Sequence, residues 1–196
     1  MRGPVDLAVL ISGFGRSLQN FIDLIAAQKL DARIKVVVSS SAEAGGNEKA
    51  RRAKIPLVVV DRKAPDFSDA ITKAVDKHHV DLVLLAGFLN LWKFPAKYKG
   101  RVLNIHPSLL PAFGGKGMYG HRVHEAVLAS GAKESGCTVH IADLEYDRGP
   151  IVLQRKVKVM PGDTADDLAA RVFAEECIAY PEAVKKVAET LTRTSS

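Results

Sequence analysis

The sequence is poor in cysteine, in aromatic residues and in long apolar runs, and each shortage excludes a class of protein. Its two cysteines, Cys137 and Cys177, are far apart and form no C-x-x-C pair, so neither a zinc knuckle nor a disulfide framework is predicted. Aromatic residues make up 6% of the chain and do not interleave with a basic stripe, as they would in a nucleic-acid binder. No apolar run approaches the ~20 residues that span a bilayer, and the first residues lack the layout of a secretory signal. We therefore expect a soluble, cytoplasmic protein with no nucleic-acid or membrane partner.

Charge and length indicate a compact protein that binds small anions. The 28 Lys and Arg residues exceed the 22 Asp and Glu residues, which gives a net charge of +6, but they form no basic run. Dispersed basic residues favour anionic ligands held in a local site. With 196 residues, 47% of them hydrophobic, the chain can bury a sizeable core. We expect one domain over residues 1–196, with a frayed tail at about 190–196.

Short apolar runs alternate with helical patterns through the first half of the chain. Residues 7–12 form an apolar run, and the apolar residues from Leu18 to Ile25 recur at the spacing of one helix face. Runs of Val and Leu are typical of strands buried on both faces, and therefore of a parallel sheet with helices on each side. The same alternation predicts strands at 34–39, 57–60, 81–86 and 101–105, and helices at 47–53 and 67–79.

The second half begins with a loop rich in Pro and Gly at 107–120, and long loops in compact domains are often functional. The elements predicted after it are a helix at 121–130 and strands at 137–142 and 151–160. A last helix begins near Thr164, which forms a capping-box pattern with Asp167, and Pro181 is expected to kink or divide it. The predicted fold class is α/β: a Rossmann-like, mostly parallel sheet with helices on both faces, mixed in the C-terminal half.

A glycine-rich turn at 12–18 joins the first strand to the first helix. Glycines there let backbone N–H groups approach an anion at the helix start, which suits a phosphate. The turn is not a dinucleotide fingerprint, because the third glycine of G-x-G-x-x-G would fall at Leu18, and it lacks the Lys of a Walker A loop. The alternative is a tight turn that needs glycine for its geometry alone.

Asn104 and His106 stand two residues apart at the end of a predicted strand, so their side chains point the same way. At the carboxyl edge of such a sheet a carboxamide could donate to a developing oxyanion while an imidazole takes or returns a proton. The alternative for His106 is a structural role in the turn with Pro107. Asp147, in the turn 145–150, could bond to its own backbone, or it could lie beside His106, orient that imidazole and raise its pKa.

An apolar stretch and two histidines complete the candidates. Residues 85–92 leave a strand and stay largely apolar, which fits the protein core and also an apolar wall for a flat heterocycle. His121 and His124 are three residues apart on a predicted helix, without the Glu and spacing of H-E-x-x-H. We interpret them as surface or supporting residues and predict no metal site.

Five segments spread along the chain carry a family pattern. They are ISGFGRSLQ at 11–19, LAGF at 85–88, NIHPSLLP at 104–111, GCTVH at 136–140 and DRGP at 147–150. Taken together they resemble the phosphoribosylglycinamide formyltransferase family, within the folate-dependent formyltransferase superfamily, in an order and spacing that match across nearly the whole chain. The segment at 104–111 is highly specific to the superfamily, whereas the glycine loop is a weaker sign.

The resemblance implies a reaction in which the amine of glycinamide ribonucleotide (GAR) attacks the formyl carbon of 10-formyltetrahydrofolate, in de novo purine biosynthesis. It implies that Asn104, His106 and Asp147 are catalytic. The sequence leaves the oligomeric state open between a monomer and a homodimer. The residues implied in substrate binding are Gly15, Arg16 and Ser17 for the ribose phosphate, Glu176 for the rest of GAR, and Leu89, Asn90, Leu91, Trp92 and Asn104 for the folate.

The chain departs from the family pattern at several positions. Arg16-Ser17 stands where Ser-Asn is frequent, Glu176-Cys177 where Glu-His is usual, and the loop 114–120 is longer than in many members. A family Arg that holds the folate glutamate has no equivalent in register, although Arg62 and Lys63 are near. These differences bear on the affinity for the two substrates rather than on the chemistry.

Three other functions stay open. Methionyl-tRNA formyltransferase shares the segment at 104–111 but normally carries an additional C-terminal domain. Formyltetrahydrofolate deformylase, a hydrolase, usually carries an N-terminal regulatory domain, and we expect neither domain here. A phosphoribosyl-binding module without catalysis is the third alternative, and the intact set of Asn104, His106 and Asp147 disfavours it.

Overall fold

The computed structural model describes residues 3–193, except for the side chains of residues 192 and 193. Its Cα atoms cluster into two compact units, Met1–Leu103 and Asn104–Ser196. A single domain over residues 1–196 stays a prediction. No helix in the described residues is long and apolar enough to cross a membrane.

The first unit alternates strands with helices, as the hydrophobic pattern predicts. Its strands are β1 (Val5–Ile11), β2 (Ala32–Ser39), β3 (Leu57–Val59) and β4 (Leu82–Leu85). Its helices are α1 (Arg16–Ala26), α2 (Gly46–Arg52) and α3 (Phe67–Asp76). A 3₁₀ helix that was not predicted covers Ala96–Tyr98. Strand β1 pairs in parallel with β2 and β4, and β2 pairs in parallel with β3. Residues Leu7 to Ile11 of β1 are fully buried, which is why this part of the strand is continuously apolar.

The second unit is built on an antiparallel pair of strands and a long helix. Its elements are β5 (Val102–His106), which begins before the boundary, α4 (His121–Ala129), β6 (Glu134–Ile141), β7 (Ile151–Lys158) and α5 (Ala165–Arg193). Strands β6 and β7 pair antiparallel, and α5 packs on both. The seven strands form one sheet in the order β3-β2-β1-β4-β5-β6-β7. The predicted class, a mostly parallel α/β sheet that is mixed at the C-terminal end, is confirmed.

Helix α5 begins as the capping pattern predicts but does not divide at its proline. The Thr164 N–H donates to Asp167 Oδ2 at 2.9 Å, and the Asp167 N–H donates to Thr164 Oγ1 at 3.2 Å. Of the two expected effects of Pro181, division is wrong, because α5 is a single helix that contains this residue, and a kink stays a prediction. Tyr180 and Val184 are buried on either side of Pro181, and this packing outweighs the ~3 kcal/mol that an interior proline costs. Residues 190–193 of the tail are helical, and 194–196 lie outside the described residues.

Candidate active site

A polar cluster lies where β5 ends, within the second unit. Asn104 and His106 share one face of β5, and His106 is almost fully buried, with 3% of its surface exposed. Asp147 lies in the turn after β6 with a φ of 58°, a left-handed conformation that Asp adopts more readily than most residues. His106 Nδ1 is 3.5 Å from Asp147 Oδ2, and Asn104 Nδ2 donates to Asp147 Oδ1 at 3.2 Å. The structure thus brings Asp147, which lies far away in the sequence, beside the neighbouring pair Asn104 and His106.

A second imidazole, that of His140 in β6, belongs to the same cluster. His140 is buried, with 1% of its surface exposed. Its Nε2 lies 3.0 Å from Asn104 Nδ2 and 3.5 Å from Asp147 Oδ1. No role was predicted for His140 from the sequence, because the hydrophobic pattern of an apolar strand does not distinguish a functional histidine from a core residue. The one available signal was its place at the end of the segment 136–140.

The loop 107–120 contributes two backbone groups to the cluster. His106 Nε2 lies 2.8 Å from the carbonyl oxygen of Phe113. Because a carbonyl can only accept, Nε2 carries the proton in this contact. The Gly115 N–H donates to Asp147 Oδ2 at 2.9 Å. The loop therefore contacts both the imidazole and the carboxylate, and none of these backbone groups was identified from the sequence.

One buried hydroxyl holds the start of this loop against β6. Thr138 Oγ1 donates to the Ser108 carbonyl at 2.7 Å and accepts from the Leu110 N–H at 3.0 Å. Gln154 of β7 donates to the same hydroxyl and to the Leu110 carbonyl, each at 2.9 Å. The path of the loop toward Phe113 is thus set by contacts to two strands.

Burial and charge set the protonation states of the cluster. Burial lowers the pKa of His106 and outweighs Asp147, whose charge alone would raise it. The expected rise is therefore wrong in its net direction, because desolvation penalises the imidazolium more than the carboxylate stabilises it. Burial by itself would raise the pKa of Asp147, but His140, His106 and the Gly115 N–H together lower it. At neutral pH the site holds a neutral His106 beside an ionised Asp147.

The glycine turn in the first unit requires glycine for steric reasons. Gly15 has a φ of 65° and immediately precedes α1. A Cβ on Gly15 would lie 2.7 Å from the Cα of Gly46, at the start of α2. Glycine is therefore needed at this position with or without a ligand, and phosphate binding by Gly15, Arg16 and Ser17 stays a prediction.

The segment 89–92, also in the first unit, divides into an exposed and a buried end. Leu89 is 49% exposed, and its N–H donates to Ser12 Oγ at 3.0 Å, which ties the segment to the glycine turn. Trp92 is 2% exposed. Its Nε1–H contacts the Ser68 carbonyl and Thr72 Oγ1, each at 3.2 Å. Trp92 is thus a core residue in this structure, while Leu89 offers an open apolar surface. Their contribution to folate binding stays a prediction.

The remaining candidates lie on helices of the second unit. Glu176 is half-buried on α5, and burial together with this carboxylate raises the pKa of the Cys137 thiol to about 12. Cys137 is therefore a protonated core residue at neutral pH. His121 is exposed as expected, whereas His124 is buried. Within residues 3–193, no group of three or more His, Cys, Asp or Glu side chains is placed to hold a metal ion.

Fold and site together define a class of α/β protein with a carboxamide, imidazole and carboxylate cluster at a strand end, and comparison with known proteins identifies it. Residues 5–184 match the formyl transferase family model, and the chain belongs to that family.

Within the family, the similar proteins include phosphoribosylglycinamide formyltransferases. The chloroplastic protein of Vigna unguiculata is 43% identical over 93% of this chain and 61% of that protein. The protein of Escherichia coli K12 is 39% identical over 90% of this chain and 84% of that protein. The chain spans only 61% and 65% of the length of the two plant relatives it matches.

Solved structures show the same fold. Glycinamide ribonucleotide transformylase 1 from Symbiobacterium toebii aligns with a TM-score of 0.87 at 40% identity, over 95% of this chain and 89% of that one. A formyltetrahydrofolate deformylase from Pseudomonas syringae pv. tomato aligns with a TM-score of 0.84 at 22% identity, over 95% of this chain and 62% of that one. The fold alone therefore does not separate formyl transfer from formyl hydrolysis.

Proposed function

We propose that the chain transfers the formyl group of 10-formyltetrahydrofolate to the amine of GAR, giving formyl-GAR, in cytoplasmic de novo purine biosynthesis. The observation that carries this proposal is the convergence of Asn104, His106 and Asp147 within hydrogen-bonding or ion-pair distance. It occurs in a chain 39% identical to the E. coli phosphoribosylglycinamide formyltransferase.

The proposed reaction passes through a tetrahedral intermediate. The amine nitrogen bonds to the formyl carbon, and the carbonyl oxygen takes the negative charge. The bond between that carbon and the folate nitrogen then breaks, and a proton from the amine goes to the leaving nitrogen. The ionised Asp147 is placed to accept that proton and to pass it to the lone pair of His106 Nδ1, 3.5 Å from its Oδ2. The imidazolium, still held by Phe113 O through Nε2, then gives the proton to the leaving nitrogen, which restores the carboxylate and the neutral ring.

Asn104 supplies the hydrogen bond to the intermediate's oxygen. In the structure both of its N–H bonds are engaged, one to His140 Nε2 at 3.0 Å and one to Asp147 Oδ1 at 3.2 Å. A neutral carboxylic acid is a weaker acceptor than a carboxylate. When Asp147 takes the amine proton, the Asn104 N–H that had donated to Asp147 Oδ1 becomes available to the oxyanion. Proton transfer and oxyanion stabilisation are thereby linked in one group of side chains.

The substrates would be held by the elements that flank this chemistry in the sequence. The N–H groups at the start of α1 and the guanidinium of Arg16 suit the phosphate of GAR. Glu176 would accept from the ribose hydroxyls, and Leu89, Asn90 and Leu91 would line the folate pocket, with Trp92 supporting them from the core. No step of this mechanism requires a metal.

An assay of folate product with and without GAR tests the function. We expect tetrahydrofolate and formyl-GAR to form in equal amounts, and only when GAR is present. Folate product without GAR would identify a hydrolase, and binding of both ligands without product would identify a binding module. Formylation of methionyl-tRNA in place of GAR would identify the remaining alternative.

A further inference from the structure

The proposed reaction leaves one buried imidazole of the site, that of His140, without a role. It is one of the largest fully buried side chains of the protein. Its Nε2 lies 3.0 Å from Asn104 Nδ2, and its Nδ1 lies 3.1 Å from the carbonyl oxygen of Ile141. Both ring nitrogens therefore have hydrogen-bond partners, and the partner of Nε2 is a side chain of the proposed chemistry.

The two contacts determine where the proton of His140 lies. A carbonyl oxygen can only accept, so Nδ1 carries the hydrogen and donates it to Ile141. In the tautomer with its hydrogen on Nδ1, the ring has a lone pair on Nε2, and the Asn104 NH₂ group can donate to it. The distance of 3.5 Å from Nε2 to Asp147 Oδ1 is too long for a good hydrogen bond. Asn104, rather than Asp147, is thus the hydrogen-bond partner of this nitrogen.

The same contacts determine the orientation of the Asn104 carboxamide. Its NH₂ group faces two acceptors, His140 Nε2 and Asp147 Oδ1, at 3.0 and 3.2 Å. If the carboxamide rotated by half a turn, its oxygen would face a lone pair and a carboxylate, which is repulsive. A buried acceptor on each side therefore holds the amide in one of its two orientations.

We propose that His140 is a positioning residue for Asn104: its Nε2 holds one carboxamide N–H throughout the reaction and so directs the other N–H at Asp147 and at the intermediate's oxygen. This inference rests on the proposed formyl transfer, in which Asn104 stabilises that oxygen. His140 does not touch the substrate. Its contribution to the rate passes entirely through Asn104.

A double-mutant cycle tests this dependence. We expect His140→Asn, which removes the acceptor at the Nε2 position, to lower kcat by about 10- to 100-fold, as small misplacements of catalytic groups do. The KM values for GAR and 10-formyltetrahydrofolate should change by less than about threefold, because no binding contact is lost. In an Asn104→Ala background the same substitution should lower kcat by less than about twofold, because the group it positions is absent. An equal loss in both backgrounds would overturn the proposal.

A conservative variant and a matched control separate positioning from folding. The amide oxygen of Gln reaches the place of Nε2, so His140→Gln should recover most of the kcat lost in His140→Asn. Ser135→Ala removes another buried polar group of β6, one whose Oγ has no hydrogen-bond partner in the described residues, and should leave kcat unchanged. Equal losses in His140→Gln and His140→Asn, with the same fall in melting temperature, would show a structural role instead.

A measurement on the unaltered protein guards against variants that do not fold. Two-bond ¹⁵N–¹H correlation spectra of histidine-labelled protein report the tautomer of each ring. We expect His140 in the Nδ1–H form at neutral pH, and an Nε2–H form would refute the proposal. An absence of GAR-dependent transfer in the wild-type protein would count against the proposed function instead. Active wild-type protein together with a fully active His140→Asn variant would count against positioning alone.

Discussion

Asp147 has more partners in the site than any residue described beside it. One carboxylate oxygen accepts from Asn104 and faces His140, and the other accepts from the Gly115 N–H and faces His106. A carboxylate has about four acceptor positions, so each oxygen serves a different part of the site. A change at this residue would therefore disturb the imidazoles, the carboxamide and the loop together, whereas a change at Asn104 removes one function.

At the residue scale, we expect Asn104→Ala to lower kcat by about 10²- to 10³-fold, the usual loss for one oxyanion donor. Asn104 is half-buried at the end of β5, so the fold should survive. Steady-state kinetics with GAR and 10-formyltetrahydrofolate measure the loss, and circular dichroism checks the fold. Wild-type turnover in a folded variant would exclude the role proposed for this residue.

The pKa of His106 leads to a prediction on pH. Burial lowers it below its usual 6.5, so the neutral imidazole predominates at neutral pH. Lowering the pH through that pKa protonates the ring and removes its ability to accept a proton. We expect kcat at saturating substrate to be level near neutral pH and to fall at lower pH, with a midpoint below 6.5. This acidic limb should be absent in His106→Gln, and a midpoint above 6.5 would contradict the assignment.

At the scale of elements, strands β6 and β7 support a loop as well as the sheet. The Thr138 hydroxyl makes three hydrogen bonds, to Ser108, Leu110 and Gln154. These bonds hold the start of the loop that carries Phe113 and Gly115 to the site. Turn 145–150 packs closely against the end of β6. A Cβ on Gly149 would lie 1.7 Å from the Ile141 carbonyl oxygen, so the turn has no room for a side chain at this position.

Replacing Thr138 by Val should lower both stability and rate. Val has nearly the same shape but leaves the buried Leu110 N–H and the Ser108 carbonyl without the hydroxyl that they bond to, which costs about 1–3 kcal/mol. Urea unfolding measures the stability, and kcat should fall as well because the loop is less well held. Ser135→Ala in the same strand is the control. A Thr138→Val variant that is destabilised but has full kcat would show that the loop position does not depend on this hydroxyl.

At the scale of the whole molecule, the net charge of +6 suits the two anionic substrates of the proposed reaction. Long-range attraction of this kind raises the encounter rate and weakens as salt is added. This attraction affects substrate binding rather than the chemical step, because the buried cluster around Asp147 is shielded from salt.

We therefore expect the KM for GAR to rise several-fold between about 50 and 500 mM salt, with kcat changing much less. Arg16→Ser should reduce this salt dependence, since Arg16 lies at the proposed phosphate site. Lys73→Ser, an exposed residue of α3, makes the same change in net charge and serves as the control. Identical salt dependence in the two variants would assign the effect to overall charge and leave Arg16 without a specific role.

Features of the fold and site that depend on a local pattern could be predicted from the sequence. Strand and helix positions follow from hydrophobic periodicity, the start of α5 follows from Thr164 and Asp167, and the shared face of Asn104 and His106 follows from the two-residue repeat of a strand. The family could also be recognised from short segments of the sequence, because the residues of each segment are required by the chemistry or by a turn.

Features that depend on burial and on contacts between distant residues became visible only in the folded chain. Asp147 reaches Asn104 across 43 positions, His140 takes a place beside both, and α5 continues through Pro181. The direction of the His106 pKa also needed the structure, because desolvation depends on how completely the ring is enclosed. No local pattern contains these facts, since they arise when strands and loops close on one another.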